Sequence, residues 1–564
     1  MRVLDVRELA QKIDSQNVVT FEKDTYIVER ADAFCNHFSF SNTDDLPEQY
    51  FGAIIRNKKR GIVIDGKGST FVFRGPMTPF AIVDSEFVTM KNMTITFDPP
   101  LVAEGKVVRV GENYVDLSID REKFPCECRD NWLYFDIGLR ELSPLCRRAQ
   151  IHFEYDRTVT PGSGDDFVPE RVEALGNDLF RVYPNNPASI RVGEVFVLRH
   201  NARTHPGIFI ENSRETILEN ITFHGAGGLG ILAQFCYDLT LRGIHFLPGE
   251  GMFVANGRDD GFHATTCRGQ ILIEDCSFVG LMDDPINIHG CMTKLDFVTD
   301  GGRVLHGRYM HEQAQGFLHY AECGDELQII RRDTMEVVKT VVAQEYRLDR
   351  RDSFRILLKE AVQLPAGDYA IENISAAPDV IIRRCRFGSC RARGLLVSTP
   401  WPVIISDNWF ESSGSAILLS GDANNWYESG ACRNVRIYRN VFTDRAMSSK
   451  YEFCDGIISI APVVEKPGKP FHKGIWVFEN LFDTPRSPIV SAFATKYLQI
   501  LANKIFLSPS RKNECAKDAL VALSWCENVE IKNNIVIGPE TPDIVQENCE
   551  NVTVTWGKEL YDLL

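Results

Sequence analysis

The segment TILENITF at residues 216–223 recurs, with changes, as LTLRGIHF at residues 239–246. In both segments apolar residues alternate with other residues, and each segment ends in Phe. Alternation with a period of two predicts half-buried β-strands, because successive strand residues point to opposite faces. Five further segments repeat the pattern: ILIEDCSF (271–278), VIIRRCRF (380–387), VIISDNWF (403–410), VRIYRNVF (435–442) and IWVFENLF (475–482).

A second series of short apolar segments lies between the members of the first. Two strands in each period of 22–24 residues are typical of a β-solenoid, in which stacked coils bury what one coil cannot. We therefore predict an all-β fold, a right-handed parallel β-helix. The second series reads GIFIENS (207–213), GILAQFC (230–236), GFHATTC (261–267), PINIHGC (285–291), GLLVSTP (394–400), AILLSGD (416–422) and GIISIAP (456–462).

Two stretches of the chain interrupt this repeat. Their hairpin-like patterns, for example GKVVRVGENYVDLSI at residues 105–119, predict two small antiparallel β-barrel-like domains inserted between coils. The predicted organisation is β-helix coils at 1–99, an inserted domain at 100–204, central coils at 205–291, a second inserted domain at 292–377 and C-terminal coils at 378–564.

Composition narrows the possible partners and location. The formal net charge of −15 disfavours binding to nucleic acid or to an anionic membrane. No run reaches the ~18 apolar residues that a membrane-spanning helix needs. The first residues, MRVLDVRELAQKIDSQ, resemble a short amphipathic helix rather than a signal peptide, and the sixteen cysteines are read as reduced thiols. We expect a cytoplasmic protein, or a secreted or periplasmic one if a leader has been removed; the pattern does not indicate an oligomeric state.

The strand register predicts which side chains face outward. In the second series the second and fourth residues are apolar and should face the core, so the third and fifth residues should face out. In the central coils these outward positions carry polar residues: Glu211, Gln234, His263, Asn287 and His289.

Acidic pairs precede two neighbouring strands of the second series. Asp259 and Asp260 stand one coil, 24 residues, before Asp283 and Asp284. A purely structural ladder would repeat such residues in every coil, whereas Arg393 precedes a later strand. Converging carboxylates raise one another's proton affinity, which suits the acid and base of glycoside hydrolysis.

The stretch GDANNWYESG at residues 421–430 adds Asp422, Trp426 and Glu428 near the same face. A Trp beside acids is a candidate for stacking on a sugar, and packing within the loop is the alternative. Arg393 is a candidate either to bind substrate or to neutralise the acids. We predict that His263 and His289 contact sugar hydroxyls, because no third ligand at a metal-binding spacing is evident. No metal or cofactor is expected.

Several stretches together resemble glycoside hydrolase family 110. They are DDGFHATTCRGQILIEDCSFVGLMDDPINIHG (259–290), HNARTHPGIFI (200–210), RARGLLVSTP (391–400) and WYESG (426–430). The resemblance covers most of the chain and implies a β-helix with inserted β-barrel domains. It implies an inverting exo-α-1,3-galactosidase that removes terminal galactose from glycans such as blood-group B or linear galactose-α-1,3-galactose, without a metal.

The resemblance also implies that Asp260, Asp283 and Asp284 are the catalytic acids. A similar layout of three aspartates occurs in polygalacturonases, which are also inverting β-helix enzymes. By that analogy Asp283 is the acid, while Asp260 and Asp284 hold the water. The remaining outward polar residues are expected to bind the sugar.

Two other readings of the same residues remain open. The first is another β-helix glycosidase or a polysaccharide lyase, for which a calcium requirement or unsaturated products would be diagnostic. The second is a non-catalytic glycan-binding β-helix or adhesin, which would bind without turnover. The fold alone does not decide between them, since β-helices carry many functions.

Overall fold

The computed structural model describes residues 1–146, 151–154, 157–159, 169–185, 190–200, 203–484, 487–508, 519–538 and 542–557. Two long, mainly parallel sheets, A and B, run along the molecule, and the chain alternates between them. The strands of sheet A are Arg2–Val3, Val18–Thr20, Thr25–Glu29, Ile62–Arg74, Val88–Phe97, Arg214–Phe223, Tyr237–Phe246, Arg268–Glu274, Ser277–Phe278, Asp379–Arg383, Arg386–Phe387, Val403–Ser406, Trp409–Phe410, Arg433–Tyr438, Val441–Phe442, His472–Phe478, Leu481–Thr484, Thr495–Leu501, Lys504–Leu507, Glu527–Lys532, Ile535–Ile537 and Glu550–Thr555.

Sheet B carries the second series of segments. Its strands are Phe34–Asn36, Gln49–Arg56, Thr78–Val83, Ile208–Glu211, Ile231–Gln234, Phe262–Thr265, Ile286–Thr299, Leu395–Val397, Ile417–Asp422, Ile458–Val463, Val490–Phe493, Val521–Ser524 and Ile544–Glu547. The short strand Glu428–Ser429 pairs with its long member, Ile286–Thr299.

The coil-to-coil register follows the sequence repeat. Thr216 pairs with Leu239, and Leu239 pairs with Ile271 in the next coil. The phenylalanines that end these segments are buried and stack face to face, with ring centroids 4.5–5.6 Å apart. One continuous apolar core therefore runs through the coils. The phenylalanines of the stack are Phe223, Phe246, Phe278, Phe387, Phe410, Phe442 and Phe482.

A ladder of buried asparagines runs along one bend of the later coils. The backbone N–H and the Nδ2 of each asparagine but the last donate to Oδ1 of the asparagine in the next coil, at 2.8–3.0 Å. The ladder thus satisfies polar groups that burial would otherwise leave without partners. Its members are Asn408, Asn440, Asn480, Asn503 and Asn534.

The segment at 456–462 has a register that the sequence alignment misses by one residue. Ile417 pairs with Ile458, whereas alignment on the first residue of each segment would pair it with Ile457. Both isoleucines are fully buried, so the apolar pattern alone cannot distinguish the two registers.

The first insertion contains a six-stranded antiparallel sheet and a three-stranded sheet. In the described residues, the six strands lie in the order Ile151–Phe153, Val195–Leu198, Ala103–Val110, Val115–Ser118, Leu179–Pro184 and Pro169–Gly176. The three-stranded sheet consists of Cys126–Arg129, Trp132–Phe135 and Ser143–Pro144.

The second insertion is a closed six-stranded barrel. Its strands are the far half of Ile286–Thr299, then Val304–Arg308, Ser353–Leu358, Val337–Arg350, Glu326–Arg331 and Tyr369–Asn373, which pairs back with the first. The predicted fold class, an all-β parallel β-helix with two inserted antiparallel β domains, is confirmed.

A single continuous strand joins the barrel to the β-helix. The first residues of Ile286–Thr299 pair in parallel with Phe262–Thr265 and Leu395–Val397 in sheet B. The later residues of the same strand pair antiparallel with Val304–Arg308 and Tyr369–Asn373 in the barrel. The barrel therefore grows directly out of a coil that carries predicted site residues.

The predicted amphipathic helix at the start of the chain is Val6–Ser15. The Asp5 carboxylate caps it by accepting from the backbone N–H groups of Arg7 and Glu8. Its buried residues Val6 and Leu9 join the β-helix core. Three short 3₁₀ turns complete the regular structure of the described residues: Arg30–Asp32, Asp300–Gly302 and Glu312–Ala314. Within the described ranges, no helix has the length and apolar character needed to cross a bilayer.

Candidate active site

The predicted acids meet at one edge of sheet B. They stand just before Phe262–Thr265 and Ile286–Thr299, two neighbouring parallel strands in which Phe262 pairs with Ile286. This pairing brings Asp260, Asp283 and Asp284 to the wall of one cavity of about 160 Å³, called here the acid cavity. Of the other predicted site residues, five also line it: Asn287, Arg393, Asp422, Trp426 and Glu428.

Asp283 is the member of the acid cluster that reaches furthest into the cavity. Its side chain is 17% exposed, compared with 5% for Asp260 and 1% for Asp284. Arg203 Nη2 donates to Asp283 Oδ2 at 2.9 Å and to Asp259 Oδ1 at 3.0 Å. The orientation of Asp283 is therefore fixed by an arginine that a second carboxylate holds in place.

Asp259 serves as the anchor for that arginine. It is buried beside Arg203 and Arg258, whose Nη1 lies 2.7 Å from Asp259 Oδ2. Burial opposes ionisation of this carboxyl, but the arginines, with Arg199, hold its pKa well below the usual range. Asp259 is therefore an ionised support behind the acid cavity.

Asp284 is paired with Arg393. Arg393 Nε donates to Asp284 Oδ1 at 2.9 Å, and Nη2 lies 2.8 Å from Oδ2. Burial raises the pKa of Asp284 to about 8, with Arg393 opposing the rise and Asp283 and Asp260 adding to it. Arg393 thus neutralises the acid cluster, the second of its two predicted roles, while also lining the cavity.

Asp260 begins a chain of hydrogen-bonded groups that leads away from the cavity. Asp260 Oδ2 lies 2.7 Å from His263 Nδ1, and His263 Nε2 lies 2.9 Å from His289 Nε2. His289 Nδ1 in turn lies 2.7 Å from the carbonyl oxygen of Gly290. Both histidines are buried behind the acids and neither lines the acid cavity; His263 contacts Asp260, and His289 contacts His263.

The series of hydrogen bonds from Asp260 to Gly290 determines how many protons Asp260, His263 and His289 hold together. A carbonyl oxygen only accepts, so His289 Nδ1 carries a proton. The 2.9 Å contact between the two Nε2 atoms needs one proton between them, and the contact of His263 with Asp260 needs another. Three protons give Asp260, His263 and His289 a net charge of zero as a unit. Burial, followed by the charge of Asp283, raises the pKa of Asp260 well above its usual value, while burial lowers that of His263 to about 4, so the shared proton favours Asp260.

Glu428 brings a further carboxylate to the cavity. It lies on the strand that pairs with Gly290 and Cys291, which places its Oε1 3.6 Å from His289 Nε2. Asn42 Nδ2 donates to the same oxygen at 3.1 Å. Although burial opposes ionisation, the charge of Arg393 and the hydrogen bond from Asn42 lower the pKa of Glu428.

Asp422 and Trp426 shape the loop beside the cavity. The Asp422 carboxylate accepts from the backbone N–H groups of Asn424, Asn425 and Trp426, at 2.6–2.8 Å. The Trp426 ring is 45% exposed and stacks on His311 of the second insertion, with centroids 4.5 Å apart. Trp426 thus lies at the cavity wall with one face of its ring on His311 and part of the residue open to solvent.

The other two predicted binding residues, Glu211 and Gln234, lie outside the cavity lining. Gln234 Oε1 accepts from Ser41 N at 3.0 Å, and its Nε2 donates to Ser39 O and to Glu211 Oε1 at 2.9 and 2.8 Å. These hydrogen bonds hold the loop of residues 37–45, which is called here the end loop. They support the site by holding this loop.

The end loop closes one end of the acid cavity. Phe38 and Phe40 of the loop pack on Phe209, an outward residue of an early sheet B strand. Asn42 N donates to Gln313 O of the second insertion at 2.7 Å. The loop therefore lies between the early coils and the barrel, and Asn42 forms part of the cavity lining.

Several cavity residues were not singled out from the sequence: Asn42, Arg203, Tyr451, Glu452 and Phe453. Arg203 stands within HNARTHPGIFI, so the family resemblance was a usable signal for it. The others lie outside both strand series, where a repeat gives no information. Among the described residues, no group of three or more His, Cys, Asp or Glu side chains could hold a metal ion.

The outer face of this parallel β-helix gathers three aspartates, two arginines and a tryptophan at one cavity, which are groups that glycoside hydrolases use. Comparison with known sequences also indicates a glycoside hydrolase. The family model described as GLAA-B beta-barrel domain I matches residues 103–196, within the first insertion.

Curated relatives match nearly the full chain. Alpha-1,3-galactosidase B of Bacteroides thetaiotaomicron is 35% identical over 93% of this chain and 86% of that protein. An alpha-1,3-galactosidase B of Phocaeicola vulgatus is 31% identical over 92% of this chain and 89% of that protein. The chain belongs to the α-1,3-galactosidase family, glycoside hydrolase family 110.

Solved structures are more distant. The surface adhesin PfbA of Streptococcus pneumoniae aligns with a TM-score of 0.36 and 9% identity, covering 97% of this chain and 85% of that chain. A likeness at this level carries no argument about function.

Proposed function

We propose that this protein is an inverting exo-α-1,3-galactosidase that removes terminal, non-reducing α-1,3-linked galactose from glycans such as blood-group B or linear galactose-α-1,3-galactose. The observation that carries the proposal is the convergence of Asp260, Asp283 and Asp284 on one small cavity in a chain of this family. Paired carboxyl groups are the usual means of glycoside hydrolysis.

The shape of the cavity supports action at a chain end. Its volume of about 160 Å³ is well below that of pockets for drug-sized ligands and suits a single sugar ring. The end loop and Arg203 close it on the side of the early coils. A terminal galactose fits such a space, whereas an internal sugar would need an exit at both ends.

The cluster contains the groups that inversion needs. Asp283, the most exposed acid, donates a proton to the glycosidic oxygen, while a water attacks the anomeric carbon from the opposite face. Asp260 already shares a proton with His263, so we assign the proton of the water to Asp284, next to Arg393. The products are β-galactose and the shortened glycan.

Charge balance supports one retained proton in the cluster. Three carboxyls, those of Asp260, Asp283 and Asp284, face two arginines, Arg203 and Arg393. Ionisation of all three would leave an excess negative charge in a buried site, and the proton that removes this excess is the one that Asp260 shares with His263. Asp283 must therefore take up a further proton from solvent before it acts as the acid.

The direct test follows galactose release from the blood-group B trisaccharide and from linear galactose-α-1,3-galactose by proton NMR. Initial formation of β-galactose is the expected result, and the two substrates reveal which acceptor is used. Initial formation of α-galactose would overturn inversion. If neither glycan is cleaved, the α-1,3-galactosidase proposal fails.

The roles of the aspartates are separable with α-galactosyl fluoride, whose leaving group needs little protonation. Asp283→Asn should retain much more activity on the fluoride than on the disaccharide if Asp283 is the acid. Asp284→Asn should lose activity on both substrates and recover it with azide, giving β-galactosyl azide. If Asp260→Asn shows the fluoride-selective behaviour instead, the acid role belongs to Asp260.

A further inference from the structure

A second cavity continues from the acid cavity along sheet B. Its volume is about 690 Å³, and its floor is built by the strands Ile458–Val463, Val490–Phe493 and Val521–Ser524 of the later coils. Phe453 and Val463 line both cavities, so the two spaces adjoin. We call the second cavity the coil groove.

The two ends of this combined cleft differ. At the early coils the outward residues Phe209 and Leu232 are buried under the end loop. At the later coils the corresponding outward residues, Ser459 and Ser491, line the coil groove. Of these two directions along the described part of sheet B, the later coils are therefore the one along which a ligand with its terminal sugar in the acid cavity can extend.

The lining of the coil groove suits an uncharged, hydroxyl-rich chain. Phe453 is 45% exposed at the junction of the cavities, and Phe493 lies further along the floor. Hydroxyls come from Ser491 and Ser524, whereas the Ser459 hydroxyl is buried and donates to Gly456 O. Apolar rings and hydroxyls side by side match the apolar faces and polar edges of sugar rings.

Two charged side chains at the rim of the groove, Arg332 and Asp455, are bound to partners within the protein. Arg332 Nη1 lies 2.6 Å from Asp368 Oδ2, and Lys450 Nζ lies 2.8 Å from Asp455 Oδ1. Their charges are thus engaged already, which favours a neutral ligand over an anionic one.

We propose that the coil groove binds the reducing-end portion of the glycan, the neutral sugars that follow the galactose being removed. This inference rests on the proposed function, since it takes the acid cavity to hold the terminal galactose. It assigns the enzyme an extended glycan as its preferred substrate, rather than a disaccharide alone.

The test compares linear galactose-α-1,3-galactose with the same unit extended by three neutral sugars at the reducing end. The wild type should show a kcat/KM on the order of tenfold higher for the extended glycan, a preference equivalent to about 1.4 kcal/mol. Equal kcat/KM for the two substrates would overturn the proposal.

Two variants locate this preference in the groove. Phe493→Ala removes an aromatic surface and Ser491→Trp fills the floor, so each should reduce the ratio of the two kcat/KM values toward one. Phe506→Ala is the matched control, because Phe506 is a partly exposed phenylalanine on sheet A, away from the groove. A ratio unchanged in both groove variants would place the preference elsewhere and overturn the assignment.

A binding measurement separates this inference from the proposed function. The extended glycan without its terminal galactose is titrated into wild type and Ser491→Trp by calorimetry, with folding checked by Tm. Binding to the wild type that the variant weakens about tenfold supports the groove even if no glycan is hydrolysed. Absence of binding to the wild type would overturn the groove while leaving galactose release unaffected.

Discussion

The β-helix contains two stacks of polar side chains, and they are built differently. In the asparagine ladder of five residues, the first four each make the same hydrogen bonds to the asparagine of the next coil. In the acid cluster, neighbouring coils carry different groups, and Asp283 and Asp284 are each held by an arginine from outside their own strand. The same residue type repeated in successive coils satisfies the buried backbone N–H groups of the ladder. Different residue types in neighbouring coils instead form a site that faces a cavity.

The largest expected effect lies in the acid cluster. Asp283→Asn should lower kcat/KM for galactose-α-1,3-galactose by about 10²–10⁴-fold, because it removes the group assigned to protonate the leaving oxygen. Tm should change little, since Asp283 is the most exposed member of the cluster. Steady-state kinetics and calorimetry check both parts.

The matched control for this change is Asp407→Asn. Asp407 is an aspartate at a sheet A bend, paired on the surface with Arg439. Its substitution should leave kcat/KM at the wild-type value. Wild-type activity in Asp283→Asn would show that the acid cluster, like the asparagine ladder, is structural only.

The ladder should respond in the opposite way. Asn480→Ala removes the acceptor for the backbone N–H and Nδ2 of Asn440, and the donor to Ile437 O. Buried unpaired polar groups cost about 1–3 kcal/mol each, so we expect a loss of roughly 3 kcal/mol of stability and a lower Tm. The kcat/KM of the folded fraction should stay within about twofold of wild type. A large loss of activity at unchanged Tm would contradict a structural role for the ladder.

The number of protons held by Asp260, His263 and His289 predicts which ring nitrogen of each histidine is protonated. With ¹⁵N-labelled histidine, His289 should be protonated at Nδ1 and His263 at Nε2 at neutral pH. His289→Leu removes the acceptor for His263 Nε2–H and should let the His263 proton move to Nδ1, with a loss of activity on the order of tenfold. A His263 already protonated only at Nδ1 in the wild type would contradict the shared proton.

The smallest expected effect is a shift in the pH profile. Because burial raises the pKa of Asp284 from 3.8 to about 8, a base at this position ionises late, and kcat/KM should rise with pH well above the range of an ordinary aspartate. Glu452 competes for Arg393, with Oε2 3.1 Å from Nη1. Glu452→Gln should therefore strengthen the pairing of Arg393 with Asp284 and move the acidic limb to lower pH by a fraction of a unit.

The outcome that would exclude Asp284 as the base is equally direct. An acidic limb at the position of an ordinary carboxyl, unmoved by Glu452→Gln, would show that the raised pKa of Asp284 does not govern turnover. Glu411→Gln is the control, because Glu411 pairs with Arg386 on the outer surface.

The sequence was informative wherever the repeat set the geometry. The spacing of Phe-ended segments predicted the coils, and the alternation in the second series predicted the outward column that contains Gln234 and His289. The placing of Asp260 and Asp284 one coil apart followed from the same register. These properties depend only on local pattern and on a constant coil length.

The sequence was uninformative wherever distant segments cover the repeat. Asn287 and His263 occupy the same outward position in neighbouring strands, and the apolar alternation around them is the same. The Asn287 side chain nevertheless lines the acid cavity, whereas the His263 side chain is buried among other residues. Asn42 reaches Glu428 across 386 residues, and Arg203 reaches Asp283 across 80 residues. No periodic signal records such contacts, so the closed end of the acid cavity could not be predicted.

The strand Ile286–Thr299 has a mechanical consequence. Asn287 and His289 lie in its first half, and its second half forms a wall of the closed barrel. Rotation of the barrel about this strand would bend the backbone beside the acids and strain the pairing with Leu395–Val397. The barrel and the floor of the acid cavity thus share one backbone segment, so a ligand on the barrel would act on the strand that also carries the cavity residue Asn287.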